Sequence, residues 1–218
     1  MYKIFLIVIL LSGCAATENK PLTQKAKNSL GHIGVVSTIG DSLLCNYTGI
    51  TIFTNEKELY KIPHNFNDSL ATEISSQLSN INYKTTTLSR DSISFIDNKK
   101  RAQAFKNLKL NTSKLDISID TLIVLDGSFH YTATGGYNAR YNALHTIANL
   151  YIYDITSGTV LGHSTKYLKD LQGGFNCEQE TLRPKSAMFR LVNRAGFYAQ
   201  KKLVNNLFEI ENSKSAKL

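Results

Sequence analysis

The chain has 218 residues, 42% of them apolar and 19% charged, and carries a net charge of +8 at pH 7. That length provides for one ordinary domain with a full core, and the apolar fraction excludes an intrinsically disordered chain. The positive excess describes a solvated basic surface or one drawn to anionic lipid head groups and cell-wall polymers; no RNA-binding motif and no basic helix placed for DNA accompanies it.

The amino terminus opens with Lys3 and the apolar run Ile4 to Leu11, then turns polar at Ser12-Gly13-Cys14. A membrane-spanning helix needs roughly twenty apolar residues, so this run is too short to be one. A short positive region, an apolar core and small residues before a processing point make residues 1–13 an export signal. Leu11-Ser12-Gly13-Cys14 resembles the lipobox of bacterial lipoproteins. The resemblance implies removal of the leader before Cys14 and attachment of acyl chains to its sulfur and new amino group. Each buried methylene contributes about 0.8 kcal/mol and stable anchoring takes at least two signals, so a triacylated Cys14 would hold the protein to a membrane permanently. Ala15 and Ala16 place no aspartate beside the cysteine, where it usually marks inner-membrane retention. The resemblance therefore implies the outer membrane, with the protein facing the periplasm, and export speaks against a nucleic-acid partner.

Residues 14–31 are polar and aperiodic and contain one proline, which predicts a flexible tether reaching roughly 20 to 25 Å. A single domain is expected over residues 32–210. It opens with the β-branched run Ile33 to Ile39, a strand ended by Gly40-Asp41-Ser42, and a second strand is predicted from Thr48 to Phe53. Asn67 or Asp68 fits the cap of a helix whose apolar positions Leu70, Ala71, Ile74 and Leu78 recur at three and four residues. Tyr83 to Leu88 reads as a strand and Lys99 to Leu108 as a short basic helix.

Thr121 to Phe129 is apolar on both alternating sets, Leu122 with Val124 and Ile123 with Leu125, and predicts a central strand covered on both faces. Leu144 to Asp154 alternates, with Leu144, Ala148, Leu150 and Ile152 on one face and His145, Asn149, Tyr151 and Tyr153 on the other. Thr156-Ser157-Gly158 turns the chain into a hairpin partner from Thr159 to Leu168. Pro184 fits the first turn of a long C-terminal helix striped by Ala187, Leu191, Ala195, Ala199, Leu203 and Leu207. Residues 211–218 are expected to be a disordered tail.

These elements predict an α/β or α+β fold in one domain, a mixed sheet with a terminal β-hairpin and a long C-terminal helix. The succession IGVVSTIGD, DTLIVLDGSF and ANLYIYDITSGTVLGHS before a terminal helix resembles periplasmic domains of envelope proteins. Among them are the lipoprotein activators of penicillin-binding proteins, the curli secretion lipoprotein and the N-terminal domain of the Tol translocation protein. Asp154, Ser157 and Gly158 match the hairpin turn of such domains. The resemblance implies action by binding envelope proteins or by forming a homo-oligomer, and assigns no role to a single residue.

Motifs for chemistry are missing. The sequence has no glycine-rich nucleotide loop, no Gly-x-Ser-x-Gly elbow and no His-Glu-x-x-His zinc helix, so no cofactor, no metal and no enzymatic activity are expected. If the strands ending at His130 and beginning near His145 are antiparallel neighbours, the two imidazoles lie at the same end of the sheet. His163 is expected to point inward. Asp41 and Asp126 follow apolar strands, where ligands gather in open α/β sheets, although such carboxylates also simply stop strands and cap turns. With Cys14 acylated, Cys45 and Cys177 remain in a compartment that permits disulfides; they either pair or stay as two buried thiols.

The loop Tyr131 to Asn142 combines Gly135-Gly136 with Tyr131, Tyr137, Arg140 and Tyr141, residue types that carry most binding energy at recognition surfaces. A second loop, Gln172 to Asn176, is similar in character. The leading expectation is a non-enzymatic binding or scaffold lipoprotein, held by acyl chains on Cys14 and contacting an envelope protein partner. The alternative is an exported enzyme or small-ligand carrier with a pocket near Asp41, Asp126 and His130.

Overall fold

The computed structural model describes residues 19–40, 42–49, 55–63, 65–92, 118–134, 142–171 and 186–210. Within them, seven strands form one mixed sheet: β1 (His32–Ser37), β2 (Ser42–Thr48), β3 (Glu56–Lys61), β4 (Lys84–Thr87), β5 (Thr121–Thr134), β6 (Ala143–Asp154) and β7 (Val160–Leu171). Three α-helices accompany it: α1 (Gln24–Asn28), α2 (Asn65–Ser79) and α3 (Ala187–Phe208), with a 3-10 turn at Arg90–Ser92. The α/β single domain with its terminal hairpin and long last helix is the architecture that the residue pattern predicts. No helix among the described residues is long and apolar enough to cross a membrane.

Strand β5 is the spine. On one side it pairs parallel first with β1, Ile33 opposite Thr121, and then with β2, Leu43 opposite Phe129. On the other it runs antiparallel to β6, which pairs in turn with β7. Between its two parallel partners β5 passes through Gly127, whose carbonyl accepts from the Gly40 amide at 3.0 Å. A Cβ on Gly127 would lie 2.0 Å from the Ile147 carbonyl oxygen, so the close approach of β5 and β6 there requires glycine.

Both faces of the first half of β5 are covered, as its doubly apolar sequence demands. Ile123 and Leu125 join Ile33, Val35, Leu150 and Ile152 in the main core under α2 and α3. Leu122 and Val124 join Val36, Leu88 and Tyr153 in a smaller cluster on the opposite face. Beyond Asp126 the strand alternates between buried and half-buried residues. Phe66 of α2 meets Phe129 edge-on, 5.8 Å between ring centroids, and Gly196 of α3 leaves the room that the Phe66 ring occupies.

Several boundaries differ from the sequence reading. Helix α2 begins at Asn65, so Asn67 is not a cap but a buried residue whose Oδ1 accepts from Ser37 Oγ at 2.8 Å. Strand β2 begins at Ser42 and ends at Thr48, before most of the Thr48–Phe53 stretch, of which residues 50–54 lie outside the described residues. Ser186 caps α3 by accepting from the Phe189 amide, so its first turn starts at Ala187; Pro184 lies outside the described residues. The expected helix Lys99–Leu108 lies outside as well.

The largest difference is at the amino terminus, where a flexible tether was expected to reach Gly31. From Asn19 onward that segment is packed. Lys20 exchanges two backbone hydrogen bonds with His163 of β7, at 2.8 and 2.9 Å, and Asn19 Oδ1 accepts from the Thr165 amide. Leu22 and Leu30 are buried, Thr23 caps α1, and Lys27 pairs with Glu209 beyond the end of α3 at 2.6 Å. Isolated leucines in a polar sequence give no periodicity, which is why the pattern alone does not show this arm.

Candidate functional site

The hairpin register settles where the sequence-selected residues go. His130 and His145 are directly opposite each other across β5 and β6, as the antiparallel arrangement requires. His145 Nδ1 shares a hydrogen bond with the Tyr167 hydroxyl, while His130 Nε2 is 3.1 Å from Ser128 Oγ. Burial, helped by Lys169 and His130, holds the His145 imidazole below its ordinary pKa. Among the described residues no group of three His, Cys, Asp or Glu is placed to hold a metal ion.

His163 does not point into the core. It pairs with Tyr151 in the hairpin register and stacks on that ring on the sheet face opposite the helices, because odd-numbered positions of β6 and, from His163 onward, of β7 share that face. Asp126 is on this face too, accepting from Thr38 Oγ1 at 3.3 Å, and its charge, after burial, helps to raise the Tyr151 hydroxyl pKa. Asp126 and His130 are four residues apart on one strand, roughly 13 Å, so they do not converge on one reacting atom. Asp41 lies outside the described residues.

The recognition loop is corrected at its first residue. Tyr131 is fully buried on the helix-facing side of β5, opposite Leu144, and serves as core rather than contact surface. Tyr137, Arg140 and Tyr141 lie outside the described residues, as do Cys14, Cys177 and Gln172 to Asn176. Cys45 is buried and disulfide-bonded, and its partner is also outside. The structure does bring the roots of the two glycine-rich loops together: Ala143, which follows the first, pairs with Leu171, which precedes the second.

At that end of the sheet, between β6, β7 and α3, is a cavity of about 250 Å³. Leu144, Leu168 and Ala195 provide apolar wall; Lys169, Asp170, Arg194 and Tyr198 also line it. Arg194 Nη2 is 2.6 Å from Asp170 Oδ2, with 63% and 32% of the two side chains exposed. Thr146 also lines the cavity, is fully buried, and its Oγ1 has no hydrogen-bond partner among the described residues. The sequence contains one signal for this feature: Thr146 interrupts the inward apolar stripe Leu144, Ala148, Leu150, Ile152. The contribution of α3 has no such signal, since arginine and tyrosine on the exposed side of a helix are ordinary.

No family model matches the sequence, and no curated protein is similar to it. Solved structures of similar shape include a Xanthomonas campestris protein of family model DUF330, 12% identical, covering 82% of this chain and 81% of that one at a TM-score of 0.40. Lipoprotein GNA1162 from Neisseria meningitidis is 9% identical, covering 76% and 97% at 0.32. The PelC dodecamer from Paraburkholderia phytofirmans is 9% identical, covering 89% and 96% at 0.37. Likeness at this level conveys neither an activity nor a partner. None of these three is among the proteins that the strand order resembles.

Proposed function

We propose that the chain is a lipid-anchored envelope lipoprotein of the outer membrane, facing the periplasm, that acts by binding an envelope protein rather than by catalysis. The observation that carries this reading is Leu11-Ser12-Gly13-Cys14 at the end of a short apolar run. The packed arm sets how far such an anchor would let the domain stand from the membrane. Five residue steps separate Cys14 from Asn19, a fully extended reach of about 17 Å, so acyl chains on Cys14 would hold the β7 side of the domain close to the bilayer. That is a short leash, not the long tether expected from the polar composition of residues 14–31.

Mass spectrometry of protein made in a bacterial host that processes lipoproteins tests the anchor. The expected mass is that of a chain starting at Cys14 with acyl groups attached; an intact leader or an unmodified Cys14 would refute the reading. Binding is tested by crosslinking in whole envelopes with the wild type and a Tyr137→Ala/Arg140→Ala variant. A specific protein crosslink that weakens in the variant is expected, and background-level capture by both would argue against a binding role.

A further inference from the structure

We infer that the open half of the sheet face opposite the helices lies on the anionic lipid surface to which the acyl chains hold the protein. The inference goes beyond the binding of a protein partner and rests on the lipid anchor of the proposed function.

The register defines the face. Leu59 of β3 is opposite Leu44 of β2, Leu44 is opposite His130, and His145 and Lys169 continue that row to β7. Leu43 and Cys45 of β2 are in the core beneath the helices, so the residues that alternate with them, and their partners across the sheet, share the other face. Three large apolar side chains are exposed there: Leu59 at 68%, Tyr167 at 55% and Ile147, directly opposite Tyr167, at 40%. The smaller cluster around Leu122, Val124 and Tyr153 closes only the other half of this face, before Asp126.

Charge says what covers the open half. Beyond Asp126, every aliphatic charge among the described residues of this face is a lysine: Lys57 and Lys61 on either side of Leu59, and Lys169 two residues after Tyr167. Glu56 and Glu58 alternate to the helix side of β3, and Asp170 to the helix side of β7, where it pairs with Arg194. Exposed apolar groups with a polar rim mark a contact surface. Tyrosine and lysine suit the head-group level of a bilayer, each with an apolar body and a polar tip, and lysines close to an anionic leaflet are drawn to it.

The anchor selects a membrane over other anions. Asn19 is held at Thr165 of β7, and Tyr167 and Lys169 are two and four residues farther along that strand, about 7 and 13 Å. Both are within the extended reach of about 17 Å between Asn19 and Cys14. Acyl chains on Cys14 therefore bring one edge of this face to the head groups, and settling of the rest becomes an intramolecular step, open to a patch too weak to hold an unanchored protein. The helix side then faces away from the bilayer, toward an envelope partner.

The chain contains no tryptophan, so a single introduced one reports its own depth. Leu59→Trp, Tyr167→Trp and, on exposed α3, Tyr198→Trp are made in the acylated mature chain and reconstituted into vesicles with lipids brominated near the head group. In phosphatidylglycerol vesicles both sheet reporters should be quenched and Tyr198→Trp should not. The Leu59→Trp quenching should be lost in neutral phosphatidylcholine, in about 1 M salt, where screening sets in within about 3 Å, and in a Lys57→Glu/Lys61→Glu/Lys169→Glu background, whose three positions are exposed and leave the fold intact. Comparable quenching of Tyr198→Trp, or quenching of Leu59→Trp indifferent to lipid charge, salt and the lysines, would overturn the inference. Quenching of Tyr167→Trp alone would also overturn it, since the leash by itself keeps that residue near the bilayer. So would protein that floats with the vesicles while neither sheet reporter is quenched: the anchor then stands, and a crosslinker at Tyr167 that captures a protein in whole envelopes would give the face to that protein. Protein that does not float with neutral vesicles lacks the anchor, and the proposed function fails together with the inference.

Discussion

His163 stacks on Tyr151 with 5.7 Å between ring centroids and 14° between planes, while its backbone holds Lys20 of the amino-terminal arm. One residue thus joins the outer face of the hairpin to the segment that leads toward Cys14. Burial, with Lys20 adding to it, keeps the His163 imidazole below its ordinary pKa, and His145 is lowered by burial with Lys169 and His130. The unfolded chain restores ordinary histidine values near 6.5. As pH falls through that value toward the folded ones, the unfolded state takes up protons that the folded state resists, so stability falls. Above it the contribution is fully present. The melting temperature is therefore expected to decline from about pH 7 to about pH 5, and less steeply in His163→Phe, which keeps a ring on Tyr151 without titrating. An identical slope in the variant would show that His163 does not contribute.

Gly127 and Gly158 predict opposite responses to the same substitution. An alanine Cβ at Gly127 would meet the backbone of Ile147 at 2.0 Å, and neither strand can yield without breaking the β5–β6 ladder. Gly127→Ala is expected to cost about 3 kcal/mol or more. At Gly158, φ is +66° with open space around the position, so alanine meets only the left-handed backbone penalty of about 1 kcal/mol. Urea denaturation of the two variants measures the difference. Similar losses would mean that backbone strain, and not the Ile147 contact, sets the cost at Gly127.

What was legible in the sequence was whatever repeats. The doubly apolar Leu122 to Leu125 announced a strand buried on both faces, and the alternation after Leu144 placed each side chain of β6 on its proper face. The helix stripe from Leu191 to Leu207 did the same for α3. Strand β3, Glu-Lys-Glu-Leu-Tyr-Lys, is exposed at the sheet edge and has no core face to pattern it; its lysines suit an edge that must not recruit another chain. Tyr131 was misplaced because tyrosine suits a core and a contact surface equally, and only the register with Leu144 decides between them. Thr146 was visible as a gap in the stripe, but its meaning depends on α3, which is 41 residues away in sequence at Ala187.

Gln200 gives a prediction of stabilisation. It is fully buried in α3, and neither its amide nitrogen nor its amide oxygen has a hydrogen-bond partner among the described residues. Leucine is of similar bulk and brings no group to desolvate, so Gln200→Leu is expected to raise stability by about 1 to 2 kcal/mol. Gln200→Ala removes the same polar atoms but leaves a void, and is expected to fall below the leucine variant by about 2 kcal/mol or more. Thermal melts of both variants read this directly, and a leucine variant less stable than wild type would show that the amide is satisfied in solution.

Cys45 carries the last prediction. It lies on the helix-facing side of β2, opposite the buried Tyr131, and is disulfide-bonded. With Cys14 acylated, Cys177 is the remaining cysteine of the mature chain, and a non-reduced digest is expected to yield a Cys45 to Cys177 peptide pair. A cross-link stabilises chiefly by restricting the unfolded chain, typically by about 2 to 4 kcal/mol. Reduction should therefore lower the denaturation midpoint of the wild type and leave Cys177→Ala, already lowered, unchanged. A Cys177→Ala midpoint that still responds to reductant would mean that Cys45 takes its other possible partner, Cys14, and that the sulfur of Cys14 is not acylated in that material.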